Sequence, residues 1–265
     1  MMNSFKDNKL KSRLQNDQIT IGSWLSIPSP IVAEIMAQAG FPWLVVDMEH
    51  SVIDLETMQS MFLAMELNNC IPLVRLTGKD PNQVKRVLDA GAYGIISPMI
   101  NTQQEAEMMV NSVKYPPLGT RGVGLARAQG YGIKFKDYNE NFNKNSIFIC
   151  QIEHKNAVEN IDEILSVKGI DAIIVGPYDL SGSYGMPGEL ENPKIVEAEQ
   201  KIIDSAKKNG IPAGIHIVEP STEALLSYIK KDFKLIVYGV DMLFLATSSL
   251  KEMKNIDQIL EGENI

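Results

Sequence analysis

Two acidic residues, Glu153 and Asp179, each lie close to the end of a short apolar run and are separated by 26 positions. The apolar runs are typical of β-strands, and the interval between them has room for a helix. Two neighbouring carboxylates repel each other unless a cation or a proton lies between them. Such oxygen ligands favour magnesium or manganese over zinc. The alternative is that each acid pairs with a lysine or arginine, and these residues alone leave both interpretations open.

Arg75 and His50 are the other candidates for chemistry at strand ends. Arg75 follows the apolar run IPLV, and its forked guanidinium suits a carboxylate or an enolate oxygen. The alternative for Arg75 is a structural salt bridge with Asp47 or Glu49. His50 is a candidate general base, because imidazole titrates near neutral pH, and Asp89 is a candidate to orient it if the fold brings the two together. A lone histidine is more often a structural group.

Eight β-rich runs alternate with helical patterns along the chain. Stretches such as WLVV and AIIV lack polar alternation, which is typical of parallel strands covered on both faces. We therefore predict an α/β fold, a single-domain TIM (β/α)₈ barrel over residues 1–265, with residues 1–18 as an N-terminal extension or helix. An open doubly wound sheet is disfavoured, because no glycine-rich turn follows the first strand. The predicted strands are Ile19–Ser26, Trp43–Met48, Ile71–Leu76, Gly94–Met99, Ile147–Glu153, Ala172–Gly176, Pro212–Ile217 and Leu235–Gly239.

Helix punctuation agrees with this organisation. Asp54 is a candidate N-cap, and Gly40, Gly91 and Gly210 suit left-handed C-terminal caps. The proline- and glycine-rich stretch Lys114–Ser146 is predicted to be a long functional or interface loop. The predicted helices include Pro30–Gln38, Asp54–Asn68, Pro81–Ala90, Thr102–Val113, Ala157–Leu165, Pro193–Lys208 and a last helix over Asp241–Glu261.

Composition limits the classes of partner. The formal net charge of −8 argues against a basic nucleic-acid-binding surface. Cys70 and Cys150 match no zinc motif and are predicted to be buried free thiols. The polar N-terminus lacks the apolar core of a signal peptide, and no apolar run reaches the roughly 18 residues of a membrane span. These features predict a cytoplasmic protein with neither a membrane nor a nucleic-acid partner.

Several segments resemble the HpcH/HpaI family of class II, pyruvate-dependent aldolases, within the phosphoenolpyruvate/pyruvate barrel superfamily. The resemblance runs from about Ile21 to Leu250, and its specificity comes from several motifs in the same order. The matching segments are GSWLSIPSP, WLVVDMEHS, PLVRL, VKRVLDAGAYGIISPMI, YPPLGTRGVG, QIEHKNAVENIDEIL, IDAIIVGPYDLSGSYG and VYGVD.

The resemblance implies specific roles. Glu153 and Asp179 resemble the ligands of a divalent metal, Mg²⁺, Mn²⁺ or Co²⁺. Arg75 resembles the residue that binds the keto oxygen of pyruvate and stabilises its enolate. His50 resembles the base, with Asp89 as its orienting partner. The implied supporting and substrate-binding residues are Gln151, Asp47, Pro177, Tyr178, Trp24 and His216.

The implied activity is the reversible cleavage of a 4-hydroxy-2-oxo acid, such as a 2-keto-3-deoxy sugar acid, to pyruvate and an aldehyde. The alternatives are an oxaloacetate decarboxylase, another carbon–carbon lyase or ligase that uses the same enolate, and a non-catalytic barrel that binds a keto acid. The family also implies a homo-oligomer, either a dimer that swaps its last helix or a trimer of such dimers. Two departures, His216 and a shorter segment after RGVG, lie where the aldehyde is selected; together with Tyr131 they suit a polar, sugar-like aldehyde better than a dicarboxylic semialdehyde.

Overall fold

The computed structural model describes Phe5 and residues 8–262 of the chain. Within these residues, eight strands alternate with α-helices along the chain. The strands are β1 (Thr20–Leu25), β2 (Trp43–Asp47), β3 (Ile71–Arg75), β4 (Gly94–Ser97), β5 (Ile147–Ile152), β6 (Ala172–Val175), β7 (Ala213–Ile217) and β8 (Leu235–Val240). The α-helices are α1 (Lys9–Gln15), α2 (Pro30–Gln38), α3 (Leu55–Leu67), α4 (Pro81–Ala90), α5 (Gln103–Val113), α6 (Phe135–Asn145), α7 (Lys155–Glu159), α8 (Ile161–Leu165), α9 (Pro177–Ser183), α10 (Pro193–Lys208), α11 (Thr222–Lys230) and α12 (Asp241–Gly262).

The strands form a closed parallel barrel. Each strand pairs with the next along the chain, and β1 closes the barrel on β8 with Thr20 opposite Leu235. Nearly all strand residues are buried, because the barrel interior covers one face and the helices cover the other. The predicted (β/α)₈ barrel is therefore confirmed, and the predicted strands end within one or two residues of the observed ones. None of the described helices is long and apolar enough to cross a membrane.

Side-chain and glycine caps fix the ends of several helices as predicted. The Asp54 carboxylate accepts a hydrogen bond of 2.7 Å from the Thr57 amide at the start of α3. Gly40, Gly91 and Gly210 adopt positive φ values of 102°, 115° and 65° after α2, α4 and α10. These caps set where each helix ends, and so where the chain turns back toward the next strand.

The stretch Lys114–Ser146 differs from the prediction of a loop. It contains a short 3₁₀ helix, Arg127–Gln129, and the eleven-residue helix α6. Tyr138 and Phe142 lie four positions apart on α6 and are both buried, so one face of the helix is held by packing. The surrounding asparagines have low helix propensity, so the sequence around this apolar pair does not indicate a helix.

Other helices also differ from expectation. The predicted helix Ala157–Leu165 is two short helices, α7 and α8, that meet at Asn160. Helix α1 agrees with the prediction of an N-terminal extension or helix over residues 1–18, of which residues 1–4 and 6–7 lie outside the described part. Helices α9 and α11 were not predicted as separate elements. The last helix is confirmed and ends at Gly262.

Candidate active site

The polar residues predicted at strand ends gather at the carboxyl ends of β1, β3, β5, β6 and β7. A pocket opens there, which is the usual place for an active site in this fold. Of the predicted site residues, the structure brings into the lining of this pocket Trp24, Arg75, Gln151, Pro177, Tyr178, Asp179 and His216.

Glu153, directly after β5, is a buried carboxylate beside this pocket, with only 3% of its surface exposed. Its Oε1 accepts from the Met99 amide at 2.7 Å, and its Oε2 accepts from Nε2 of Gln151. Burial raises the pKa of Glu153; the donors on Gln151 and Met99 oppose this, and the negative charge of Asp179 adds to it. The carboxylate is thus held in place by neutral donors while its charge lacks a full counter-ion.

Asp179 lies in the first turn of α9, immediately after β6, and is exposed. It makes no described salt bridge, so the alternative of a lysine or arginine partner is not realised among the described residues. Asp179 is close enough to Glu153 for its negative charge to raise the pKa of that carboxyl. No group of three or more potential histidine, cysteine or carboxylate ligands occurs in the described part of the chain. A cation held here by two carboxylates would keep positions for water and substrate oxygens.

Gly176 is a site residue that sequence reasoning did not single out for a role. A Cβ atom at this position would lie 2.8 Å from Oε2 and 2.9 Å from Cβ of Glu153. Any side chain here would therefore push Glu153 out of place. The GPYD sequence places this glycine before Pro177, but the need for it becomes visible only in the folded geometry.

Arg75 and Asp47 form a bidentate pair between the ends of β3 and β2. Asp47 Oδ1 accepts from Nε at 2.9 Å and Oδ2 accepts from Nη2 at 2.6 Å, while Glu49 Oε2 lies 3.4 Å from Nε. Asp47 also accepts from the amides of Glu49 and His50, so it fixes the turn after β2. The salt bridge that the sequence allowed is therefore present. Nη1 makes no described hydrogen bond and belongs to a residue that lines the pocket.

His50 and Asp89 are not brought together by the described residues of one chain. His50 is exposed in the turn after β2, at the carboxyl end of the barrel. Asp89 is the ninth residue of α4, which runs from that end toward the opposite one, so roughly 12 Å of helix separates it from the α4 start. Asp89 instead accepts from Arg121 Nη2 at 2.6 Å. The pairing of His50 with Asp89 stays a prediction.

Trp24, Gln151 and His216 share an unusual feature. Each lines the pocket and each has one buried polar atom without a hydrogen-bond partner among the described residues: Trp24 Nε1, Gln151 Oε1 and His216 Nε2. The rings of Trp24 and His216 meet edge to face with centroids 5.6 Å apart. Arg75 lies over the Trp24 ring, with its guanidinium carbon 4.6 Å from the ring centroid. Unpaired buried polar atoms are costly, so their concentration in one pocket points to a polar ligand.

Glu49 is a further acid near this site. Burial raises its pKa to about 7, the Arg75 charge opposes this shift, and the negative charge of Glu153 adds to it. The sequence indicated Glu49 only as a possible salt-bridge partner.

Pro177 and Tyr178 lie where predicted, at the start of α9, where Pro177 is buried and Tyr178 is exposed. Tyr131 is not among the residues that line the pocket.

The fold and the site together define a (β/α)₈-barrel enzyme with an acidic, arginine-containing pocket at the carboxyl ends of its strands. The family model for the HpcH/HpaI aldolase/citrate lyase family matches residues 20–247. The chain belongs to this family, as its motifs indicated. Both activities in the family's name cleave carbon–carbon bonds, and the chain is a carbon–carbon lyase.

Individual relatives agree with this assignment. The 5-keto-4-deoxy-D-glucarate aldolase of Salmonella paratyphi A is 37% identical over 243 residues, which cover 91% of this chain and 94% of that protein. A crystal structure of an HpcH/HpaI aldolase/citrate lyase family protein from Burkholderia cenocepacia J2315 superposes with a TM-score of 0.90 at 32% identity, covering 95% of this chain and all of that one. The structure of a citrate synthase superposes with a TM-score of 0.86 at 27% identity, covering 96% of this chain and all of the other.

Proposed function

We propose that the protein is a metal-dependent class II aldolase that reversibly cleaves a 4-hydroxy-2-oxo acid to pyruvate and an aldehyde. The observation that carries this proposal is the buried Glu153 carboxylate beside a pocket that Asp179 and Arg75 line. The relatives named as aldolases of a keto-deoxy sugar acid support a 2-keto-3-deoxy sugar acid, or a related compound, as the substrate class.

Glu153 and Asp179 fit the divalent metal on which this family typically depends. Their charges lack a full counter-ion, and Gly176 leaves room beside Glu153. The donor set is oxygen only, which suits Mg²⁺, Mn²⁺ or Co²⁺. When bound, such a metal supplies Lewis-acid polarisation of a 2-oxo acid.

The chain's own residues supply the remaining chemistry. Asp47 holds two of the guanidinium nitrogens of Arg75, which leaves Nη1 to stabilise the negative charge that develops on the oxygen of the pyruvate enolate. His50 is exposed beside this pair and, as the base, takes a proton from the methyl group of pyruvate. The amide of Gln151 is oriented by Glu153 and presents Oε1 to the substrate. The backbone at Pro177 and Tyr178 faces the pyruvate carboxylate.

The exchange of pyruvate methyl protons tests this function directly. In D₂O with Mn²⁺ or Mg²⁺, the protein should replace the methyl protons with deuterium faster than the metal alone, because the enolate forms without any aldehyde. Proton NMR of the methyl signal measures the rate, and enzyme treated with a chelator is the control. A methyl signal that persists at the metal-only rate would show that the barrel binds a keto acid without catalysis.

The citrate synthase neighbour supports carbon–carbon bond formation as an alternative activity. A related alternative is an oxaloacetate decarboxylase that uses the same pyruvate enolate. Such an enzyme shares every residue described above and would also pass the exchange test. Product analysis distinguishes the two possibilities. Release of pyruvate and carbon dioxide from oxaloacetate, with no aldol cleavage of a keto-deoxy sugar acid, would identify the decarboxylase.

A homo-oligomer, a dimer or a trimer of dimers, is also part of the proposal. Helix α12 buries only Asp241, and one face of it exposes Met242, Leu245, Leu250, Met253, Ile256 and Leu260. An exposed apolar face of this length suits burial against a second copy. The family resemblance adds that the helix is exchanged between subunits.

A charge placed on this face should weaken the assembly. We expect the wild-type protein to have a mass in solution that is a multiple of 29.4 kDa, and Met253→Glu to shift it toward the monomer. Lys251→Glu, which puts the same charge on the opposite face, should leave the mass unchanged. Light scattering after size-exclusion chromatography measures each mass, and a monomeric wild-type protein would contradict the proposal.

The proposed location is the cytoplasm. Cys70 and Cys150 are free and buried, and burial raises the pKa of both thiols well above the usual range. Inert, unpaired thiols fit a reducing compartment.

A further inference from the structure

Two side chains that line the pocket, Trp24 and His216, each carry a buried ring nitrogen without a partner among the described residues. Trp24 is only 3% exposed, and its Nε1–H donates to no described group. His216 Nε2 is buried and equally without a partner. The ring of His216 hydrogen-bonds the backbone of Gly239, whose carbonyl also accepts from Ser23 Oγ at 3.1 Å. This contact holds the His216 ring in place and leaves Nε2 as the nitrogen without a partner among the described residues.

The charge state of His216 decides what Nε2 can bind. Burial lowers the pKa of His216 to about 4, and the positive charge of Arg75 contributes to this shift. The imidazole is therefore neutral near pH 7, and with its one proton engaged toward Gly239, Nε2 is an acceptor. Trp24 Nε1 is a donor only. The pocket thus presents one donor and one acceptor from two rings that touch.

A hydroxyl group is the substrate group that satisfies both atoms at once. It can accept from Trp24 Nε1–H and donate to His216 Nε2, and the two rings are in contact, with their centroids 5.6 Å apart. A carboxylate fits poorly, because it has no proton to give to Nε2. A methyl group leaves both ring atoms unpaired. Water offers the same donor and acceptor, so a hydroxyl exchanges with it at little cost.

We propose that Trp24 and His216 form a hydroxyl-recognition subsite that selects hydroxylated aldehydes over their deoxy counterparts. The inference rests on the proposed aldolase function and adds the chemical group by which the aldehyde is recognised. Arg75 lies against the Trp24 ring and close enough to Glu153 for its positive charge to act on that carboxylate. The subsite therefore adjoins the pyruvate position, where the aldehyde must lie.

Four three-carbon substrates test this subsite with minimal differences in size. Pyruvate addition to propanal, lactaldehyde, 3-hydroxypropanal and glyceraldehyde is measured as kcat/KM for each aldehyde. Lactaldehyde and 3-hydroxypropanal each add one hydroxyl to propanal at a different carbon. A site built to bind a hydroxyl should reject the aldehyde that lacks it by about 100-fold or more in the wild-type enzyme.

His216→Leu removes the acceptor, and Trp24→Phe removes the donor but keeps a ring beneath Arg75. Each should reduce the preference for the hydroxylated aldehyde at least about tenfold. The double variant should lose less than the product of the two effects, since both atoms bind one oxygen. His216→Gln, which can still accept, should keep part of the preference if His216→Leu does not fold. His154→Leu is the matched control, because His154 caps α7 outside the pocket lining and should leave the preference unchanged.

The outcomes separate this inference from the proposed function. Wild-type exchange of pyruvate protons, together with a preference that falls in His216→Leu and Trp24→Phe but not in His154→Leu, supports the subsite. Wild-type exchange with an equal preference in wild type and His216→Leu overturns the subsite and leaves the aldolase standing. A wild-type enzyme that exchanges no pyruvate protons overturns the proposed function, and the subsite with it.

Discussion

Glu153→Gln should reduce the affinity for Mn²⁺ at least about 100-fold and abolish the exchange of pyruvate protons. Loss of an outer-shell partner alone costs about 10- to 100-fold in metal affinity, and this substitution removes a charged ligand. The hydrogen bonds around Glu153 should increase this loss of metal affinity. Both carboxylate oxygens of Glu153 accept hydrogen bonds, from Met99 and from Gln151. A glutamine has only one acceptor oxygen, so its NH₂ group would face one of these donors.

The other carboxylate provides a second variant with little risk to the fold. Asp179→Asn should lower Mn²⁺ affinity in the same direction, and Asp179 is exposed. The matched control is Glu219→Gln, which removes an exposed carboxylate shortly after β7. Isothermal titration calorimetry with Mn²⁺ measures each affinity. Wild-type affinity in both Glu153→Gln and Asp179→Asn would rule out this pair as the metal site.

The barrel was predictable because its strands carry a dense local signal. Runs such as WLVV in β2 and AIIV in β6 are wholly apolar, which is typical of parallel strands covered on both faces. The strand ends then place Arg75, Glu153 and Asp179 at one face without any knowledge of side-chain geometry. Helix α6 was missed for the opposite reason, since its two buried aromatics stand in a polar, asparagine-rich run.

Contacts between distant segments were beyond the reach of the sequence. Asp89 was considered as a partner for His50, yet α4 carries it toward the other end of the barrel, where Arg121 binds it. The sequence does not reveal the role of Gly176, because that role depends on the space that the absence of a Cβ atom leaves for Glu153. The unpaired atoms of Trp24 and His216 likewise emerge only when the two rings are seen together. Residue types in the sequence identify candidate site residues, and the packing of the fold determines which of these residues contact each other.

Arg75→Lys should lower kcat/KM for aldol cleavage by about 100-fold or more, the usual cost of losing an aligned donor to a developing oxyanion. Arg75 uses Nε and Nη2 to hold both oxygens of Asp47, lies over the Trp24 ring, and keeps Nη1 for the pocket. A lysine ammonium keeps the charge but cannot hold both Asp47 oxygens and reach a substrate oxygen in the same geometry. The loss should fall mainly on kcat, because the interaction strengthens as the enolate forms.

This substitution also distinguishes a catalytic role of Arg75 from a purely structural role as the salt-bridge partner of Asp47. If the arginine served only as the salt-bridge partner of Asp47, a lysine would retain that pairing as a point charge and activity would change little. Arg86→Lys, the same substitution on an exposed residue of α4, controls for the general effect of the exchange. Steady-state kinetics with pyruvate release as the readout measures all three proteins. Wild-type turnover in Arg75→Lys would assign the residue to the salt bridge alone and would move the search for the enolate-stabilising group to another cation.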